Sequence, residues 1–317
     1  TCVQRDEKRC AMFGKRSDGY LVKGIDPVVA LTPYIMPMRC DAQVMLKLRL
    51  PYEPLARYVA EKRLEGHQIT FMEIVLAGYV RAISQLPELN RFIANKRYYS
   101  RKEITVSFAV LQDMADGSDK ENIAKCKFDP TDTIFDVAGR IQEAIEETRK
   151  ELATNSTLKI ATILQKPIFA VPVVLLARFL DRYGLMPKFL VEASPFHTGL
   201  FFSNNASVGL PPVFHHIYNF GTTSLFVIIG NIERELGLDA DGKVVRKRML
   251  PMGVTADERV CAGITYSRFL DYFQRCLADP HVLEQPPEQV LFDEGHSYRL
   301  PPAKKLLQRL RKKVDKN

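Results

Sequence analysis

From Gln43 to Leu50 apolar and polar positions alternate, with Val44, Leu46, Leu48 and Leu50 on one side and Met45, Lys47 and Arg49 on the other. A period of two predicts a half-buried strand. At Tyr52 the period lengthens, and Leu55, Tyr58 and Val59 share one face of a predicted helix, Tyr52–Leu64, that ends at Gly66. Thr70-Phe-Met-Glu73 reads as a capping box, in which the threonine oxygen and the glutamate each satisfy a free amide of the first turn. The helix it opens carries Ile74, Ala77, Val80 and Ile83 inward and stops at Pro87. Ile104–Leu111 alternates again as a strand, and Thr133–Leu152 places Ile134, Val137, Ile141, Ile145, Thr148 and Leu152 at helical spacing. Gly199–Ser203 and Ser224–Ile229 are short apolar runs that predict buried strands. Asp241-Gly242 predicts a tight turn, and Arg248–Ala256 another strand. A last helix begins at Gly263, turns Phe269, Leu270, Phe273 and Leu277 inward, and ends at Asp279-Pro280.

The rest of the chain is less regular. Residues 1–40 are charged and punctuated by Gly14, Gly19, Gly24, Pro27, Pro33 and Pro37, and read as an irregular arm or edge piece. Residues 155–195 are apolar and broken by Pro167, Pro172, Pro187 and Pro195. Two readings stand: a pair of short core helices joined by proline turns, or an amphipathic hairpin that caps a pocket or lies on a lipid surface. A proline-rich linker with Pro286, Pro287, Pro301 and Pro302 leads to a C-terminal helix with Leu306, Leu307, Leu310 and Val314 on one face. Strands and helices mix without strict alternation and there is no internal repeat, so the expected class is α+β with a mixed sheet.

Composition narrows the function classes. The 317 residues carry a formal net charge of +8, but residues 303–317 hold seven basic side chains against Asp315 and account for +6. The body is nearly neutral, so its charge does not suggest a nucleic-acid groove. The tail has no aromatic residue to stack a base and reads either as a solvated helix or as an attachment to an anionic membrane surface. The longest run free of charged and polar side chains, Pro167–Ala177, is 11 residues, and a membrane span needs about 20. Cys2, Cys10, Cys40, Cys126, Cys261 and Cys276 form no CxxC pair, and the histidines show no zinc spacing, so neither a disulfide framework nor a metal is expected. The opening TCVQRDEKRC lacks the apolar run of a secretory signal. A cytoplasmic protein, with peripheral membrane attachment as an added option, is the expectation.

Three segments carry a family resemblance. ITFMEIVLAGYVRAISQLPELNRFIANKRYY (69–99), GLFFSNNASVG (199–209) with YNFGTTSLFVIIG (218–230), and DGKVVRKRMLPMGVTADERVCAGITYSRFLDYFQRCLADP (241–280) resemble, in order and spacing, the chloramphenicol acetyltransferase and dihydrolipoyl acyltransferase superfamily, the catalytic domain of the 2-oxo acid dehydrogenase acyltransferases. The resemblance spans residues 30–285. It implies a two-layer α/β sandwich, a homotrimer with sites at the subunit interfaces, and a coenzyme A thioester as co-substrate with no tightly bound cofactor. The chain then divides into an N-terminal arm (1–40), an acyltransferase-like domain (41–285) with an insertion at 150–195, and the linker with its basic helix (286–317).

The resemblance also locates a site and shows it altered. The family turn reads His-x-x-x-Asp-Gly: the histidine is the general base, the aspartate supports the turn, and a strand serine or threonine donates to the oxyanion. Here the turn reads Glu258-Arg259-Val260-Cys261-Ala262-Gly263. Glu258 stands at the histidine position, Ala262 at the aspartate position, and Gly263 is kept; Ser203 matches the oxyanion serine. An ordinary carboxyl titrates about two units below an imidazole, roughly 3 kcal/mol of basicity. Glu258 serves as a base only if burial raises it, and Arg259 beside it would hold it ionised; the plainer reading is that the two form a polar pair at an interface. A relocated base is the alternative: His215 and His216, in VFHHIYNFG, follow the serine strand, though two loop histidines packing on Phe214 and Tyr218 explain them as well. His197, just before that strand, is a weaker candidate. Asn204 and Asn205 are candidate substrate-binding groups beside Ser203, and equally ordinary turn formers. Cys261 is either a nucleophile or a small buried hydrophobe. Two functions follow: acyl transfer with a non-standard base, or a catalytically inactive trimeric scaffold that binds a ligand or a membrane.

Overall fold

The computed structural model describes residues 15–111, 121–153, 167–238 and 241–301. The arm, read as an irregular or edge piece, carries strand β1 (Gly19–Leu21), which lies at the edge of a small sheet, and helix α1 (Pro27–Ile35). Asp26 starts α1 by accepting from the Val28 and Val29 amides, and Pro27 occupies the first turn, where its missing N–H costs no hydrogen bond. Next come β2 (Gln43–Pro51), α2 (Tyr52–Leu64), α3 (Phe71–Gln85), β3 (Arg91–Ala94), β4 (Arg97–Arg101), β5 (Ile104–Leu111), β6 (Glu121–Phe128) and α4 (Ile134–Ala153). They are followed by α5 (Pro167–Arg182), α6 (Lys188–Ala193), β7 (Leu200–Asn204), β8 (Leu225–Ile229), β9 (Glu233–Leu238), β10 (Val244–Asp257) and α7 (Gly263–Ala278).

The main sheet runs β2-β10-β8-β7-β5-β6, with β9 pairing the first half of β10. β7 is parallel to β5 and β8 while the other ladders are antiparallel, which makes the sheet mixed. A second sheet, β1-β4-β3, is small. Alternation gives each strand two faces. The inner one (Val106, Phe108, Leu200, Phe202, Leu225, Met252, Val254) joins residues of α3, α4 and α7 in one core. The outer face carries a smaller cluster of Phe201, Phe226 and Ile228 beneath Ile217. Gly253 admits that covering loop: a Cβ there would lie 2.2 Å from the Val213 carbonyl oxygen.

Helix α3 sits deepest. Its capping box is present: the Thr70 amide donates to Glu73 at 2.9 Å, and the two side chains also meet. All residues from Glu73 to Ser84 are buried, a wider face than the inward stripe alone. α7 crosses it at Gly78, where a Cβ would stand 2.4 Å from Leu277 Cδ1.

Residues 167–193 do form two helices, but not core helices. Ile168, Val171, Val174, Leu175 and Leu176 of α5, and Phe189 of α6, are exposed. The hairpin is tied to the body through its polar end: Arg16 donates to the Asp181 carbonyl at 2.6 Å and to its carboxylate at 2.7 Å, and Lys125 donates to the Val191 and Ser194 carbonyls. The expected C-terminal helix lies outside the described residues, as do Cys2 and Cys10.

Candidate functional site

β10 ends at Asp257, and the turn Glu258–Ala262 leads into α7. The turn is pinned from below. Asp257, almost wholly buried, receives a two-pronged hydrogen bond from Arg259 (Nε–Oδ1 2.8 Å, Nη2–Oδ2 2.7 Å), and Arg259 Nη1 donates to the Met36 carbonyl at 2.7 Å. Arg39 stands 4.0 Å from the same carboxylate and donates to the carbonyls of Ile93 and Asn219. Burial draws the Arg39 guanidinium down to about 10, against the pull of Asp257, so it stays charged at neutral pH. The Tyr266 hydroxyl donates to the Asp257 carbonyl at 2.7 Å.

This arrangement corrects the expected Glu258–Arg259 pair. Arg259 turns inward to Asp257, while Glu258 is exposed, anchored by its amide to the Ala42 carbonyl at 2.9 Å. Glu258 lies on the wall of a cavity of about 790 Å³ between α1, β2 and the start of α7, among Val44, Leu46, Tyr266 and Leu270. General-base carboxylates work from buried positions, and Glu258 is not in one. Ala262 occupies the N-cap position of α7 in extended conformation (φ −63°, ψ 150°) and has no side chain to accept the free amides. Gly263 is exposed, and a Cβ there would meet nothing within 4 Å.

Ser203 lies elsewhere. It is half-buried on the outer sheet face, where its hydroxyl donates to Asn205 Oδ1 at 3.2 Å. Asn204 is exposed, and its carbonyl accepts from Ser207 at 2.7 Å. Ser203 pairs with Ile228 and Ile228 with Gly253, so Asp257 lies two strands across and four residues along, a separation of about 16 Å. Glu258 is one residue further on. One protomer therefore does not bring Ser203 and Glu258 together.

His215 shares the Ser203 face. Its ring stacks on Phe226 (centroids 4.2 Å, interplanar 19°), and Phe226 precedes the Ser203 partner Ile228 by two residues, about 8 Å from Ser203 between backbone positions. Nδ1 lies 2.8 Å from the His216 carbonyl. A carbonyl only accepts, so Nδ1 is the donor in this contact. His216 is exposed and meets Tyr218 edge-on. Among the described residues no hydrogen bond joins either histidine to Ser203.

Buried His197 is better connected than its sequence position suggests. Nε2 lies 3.0 Å from the Asp181 carboxylate and Nδ1 2.8 Å from Ser194 Oγ. Burial alone would raise the Asp181 carboxyl, but the His197 hydrogen bond and the Arg16 charge hold it well below the usual carboxylate range. The cluster locks α5 to the arm. Burial pushes the Cys261 thiol up to about 12, which keeps it protonated and favours the small-hydrophobe reading. Sequence reasoning missed Asp257, Arg39 and Tyr266. The one available cue was Asp257 at the end of the mostly apolar half of β10, Met249–Ala256. No group of three metal-binding side chains converges among the described residues.

No family model and no curated protein matches this chain. Solved structures do. A probable dihydrolipoamide acetyltransferase from Listeria monocytogenes superposes with a TM-score of 0.52 at 15% identity, over 82% of this chain and 94% of that one. The cubic core of the pyruvate dehydrogenase multienzyme complex does so at 0.52 and 13%, over 83% and 93%. The dihydrolipoamide acetyltransferase of Azotobacter vinelandii gives the same 0.52 and 13%, over 83% and 93%. The chain thus has the acyltransferase fold of these cores, as the three sequence segments implied.

Proposed function

We propose that this protein is a homotrimeric acyltransferase-fold scaffold that binds an acyl-bearing ligand, a coenzyme A thioester being the first candidate, and no longer transfers the acyl group. The observation that supports this reading is the turn: Glu258, which the resemblance puts at the general-base position, is an exposed carboxylate on the cavity wall with Arg259 turned away from it. Val44, Leu46 and Leu270 offer the cavity apolar surface for an acyl chain. Glu258 and Gly263 would contact the ligand. In this reading residues 150–195 are an insertion in the domain 41–285, and the basic segment 303–317 is an auxiliary contact to acidic surfaces.

A second reading, acyl transfer with a substituted base, draws on His215, whose ring stacks on Phe226 on the same side of the sheet as Ser203. It assigns Ser203 to the oxyanion, with Asn204 and Asn205 beside it, and the base to His215, His216 or a neighbouring subunit's Glu258. Thiol release from acetyl- and long-chain acyl-CoA, paired with calorimetric titration of the same thioesters, separates the two. The scaffold reading expects saturable heat and no thiol release above a protein-free blank. Turnover that disappears in His215→Ala or Glu258→Gln would overturn it and name the base; absence of both heat and turnover would remove coenzyme A thioesters from either reading.

A further inference from the structure

We propose that α5 and α6 form a membrane-docking element that lies in the interfacial plane of an anionic bilayer. This is independent of what the cavity binds. The first argument is the shape of the exposed surface. Val173, Val174, Leu175 and Leu176 are successive exposed residues, 46–60% accessible, and successive helical positions are about 100° apart. Apolar side chains therefore cover most of the girth that α5 turns away from the body, while Leu175 and Phe179 also line a cavity against α1. A bilayer interface can take up such a broad apolar surface along the length of a helix. Ile168 and Val171 extend this surface toward the N-terminal end of α5, and Phe189 extends it onto α6.

Length and charge fit an in-plane helix. The 16 residues of α5 span about 24 Å, less than the ~30 Å hydrocarbon core, and no helix among the described residues is long and apolar enough to cross a membrane. The sequence sets Lys166 immediately before the apolar run and Arg178 immediately after it. Arg178 and Arg182 are exposed, and Lys188 starts α6 with a largely accessible side chain. Cations at the ends of an apolar helix reach the headgroup layer while the helix body rests below it. The Arg16–Asp181–His197 cluster fixes this element to the fold, so docking would orient the whole protein.

The chain end supplies the last argument. Arg299 lines the same small cavity as Lys188 and Glu192, and the described chain stops at Pro301. The segment 303–317 carries seven basic residues, and a second weak contact with anionic lipid from it would reinforce that of α5 and α6.

The test uses the full chain, which contains no tryptophan. Val174→Trp places a single reporter on α5. With vesicles of phosphatidylcholine and phosphatidylserine its emission shifts to the blue and is quenched by brominated acyl chains. Val174→Glu with Leu176→Glu, at exposed positions that leave unfolding unchanged, lowers vesicle co-sedimentation by about tenfold or more. Arg178→Gln with Arg182→Gln lowers it only when phosphatidylserine is present. Three results would overturn the proposal: a reporter indifferent to vesicles; binding lost on deleting 303–317 but untouched by the glutamate pair, which makes attachment purely electrostatic through the tail; or a glutamate pair that breaks a lipid-free oligomer without changing vesicle binding, which assigns the helix to a second copy of the chain.

Discussion

Asp257 shows how much one carboxylate can organise. Arg259 and Arg39 bring two buried guanidinium groups to it, and Tyr266 bonds its carbonyl, so the turn that exposes Glu258 is fixed without any contribution from the Glu258 side chain. Removing one partner of a buried pair leaves the other charge uncompensated, at about 3–5 kcal/mol. Asp257→Asn should destabilise by that order in urea unfolding, whereas Glu258→Gln, exposed and unpaired, should stay within about 0.5 kcal/mol; equal losses would mean that Glu258 holds the turn. Asp181 gives a pH signature. Its folded-state carboxyl is depressed, so its stabilisation is present above the unfolded value near 3.9 and is lost as pH falls toward the lower folded value. The stability gap between wild type and Asp181→Asn should therefore shrink as pH falls below about 4; a gap that widens on acidification through that range would refute the assignment. The places of Ser203 at a strand end and of Glu258 before a helix were legible from the apolar pattern around them. The Arg16–Asp181–His197 cluster was not, since Arg16 and Asp181 are 165 residues apart and only the fold brings them together.

Among the elements, legibility followed how cleanly one face is apolar. β2, α3, α4 and α7 announce themselves by period, and Thr70 and Glu73 mark a boundary that the hydrogen bonds reproduce. β6 does not, because its outward positions are Lys125 and Lys127, whose ammonium groups reach Ser194 and Glu103, and its inward ones include small Ala124 and Cys126. α5 misleads in the opposite direction: a run apolar enough for the core stands outside it, so hydropathy alone cannot assign its surroundings. Two substitutions with opposite signs follow from helix packing and capping. Gly78→Ala pushes a methyl into Leu277 and should cost about 1–3 kcal/mol. Ala262→Asp supplies the acceptor that the first turn of α7 lacks, in the extended conformation a cap requires, and should add about 1 kcal/mol. Denaturant midpoints measured side by side check both; a neutral Gly78→Ala would mean that α3 and α7 can move apart freely.

At the scale of the whole molecule, the sheet sets Ser203 and Glu258 too far apart for one chain to use both. If they act on one ligand, two copies must meet, with the outer face of one sheet near the turn of the next. The loop over that face offers a surface for such a contact: Val208, Leu210, Val213 and Phe214 are each 43–51% exposed, above a sheet that Gly253 lets them approach closely. A homotrimer should then appear in light scattering as three times the 36.1 kDa chain mass. Phe214→Glu should shift the population toward single chains with little loss of chain stability, because the side chain it replaces is already half in solvent. If the scaffold reading holds, ligand affinity should fall along with assembly in this variant, since each cavity would be completed by its neighbour. A wild-type chain that scatters as a monomer at micromolar concentration and still binds the thioester would make the cavity beside Glu258 self-sufficient and leave Ser203 outside the site.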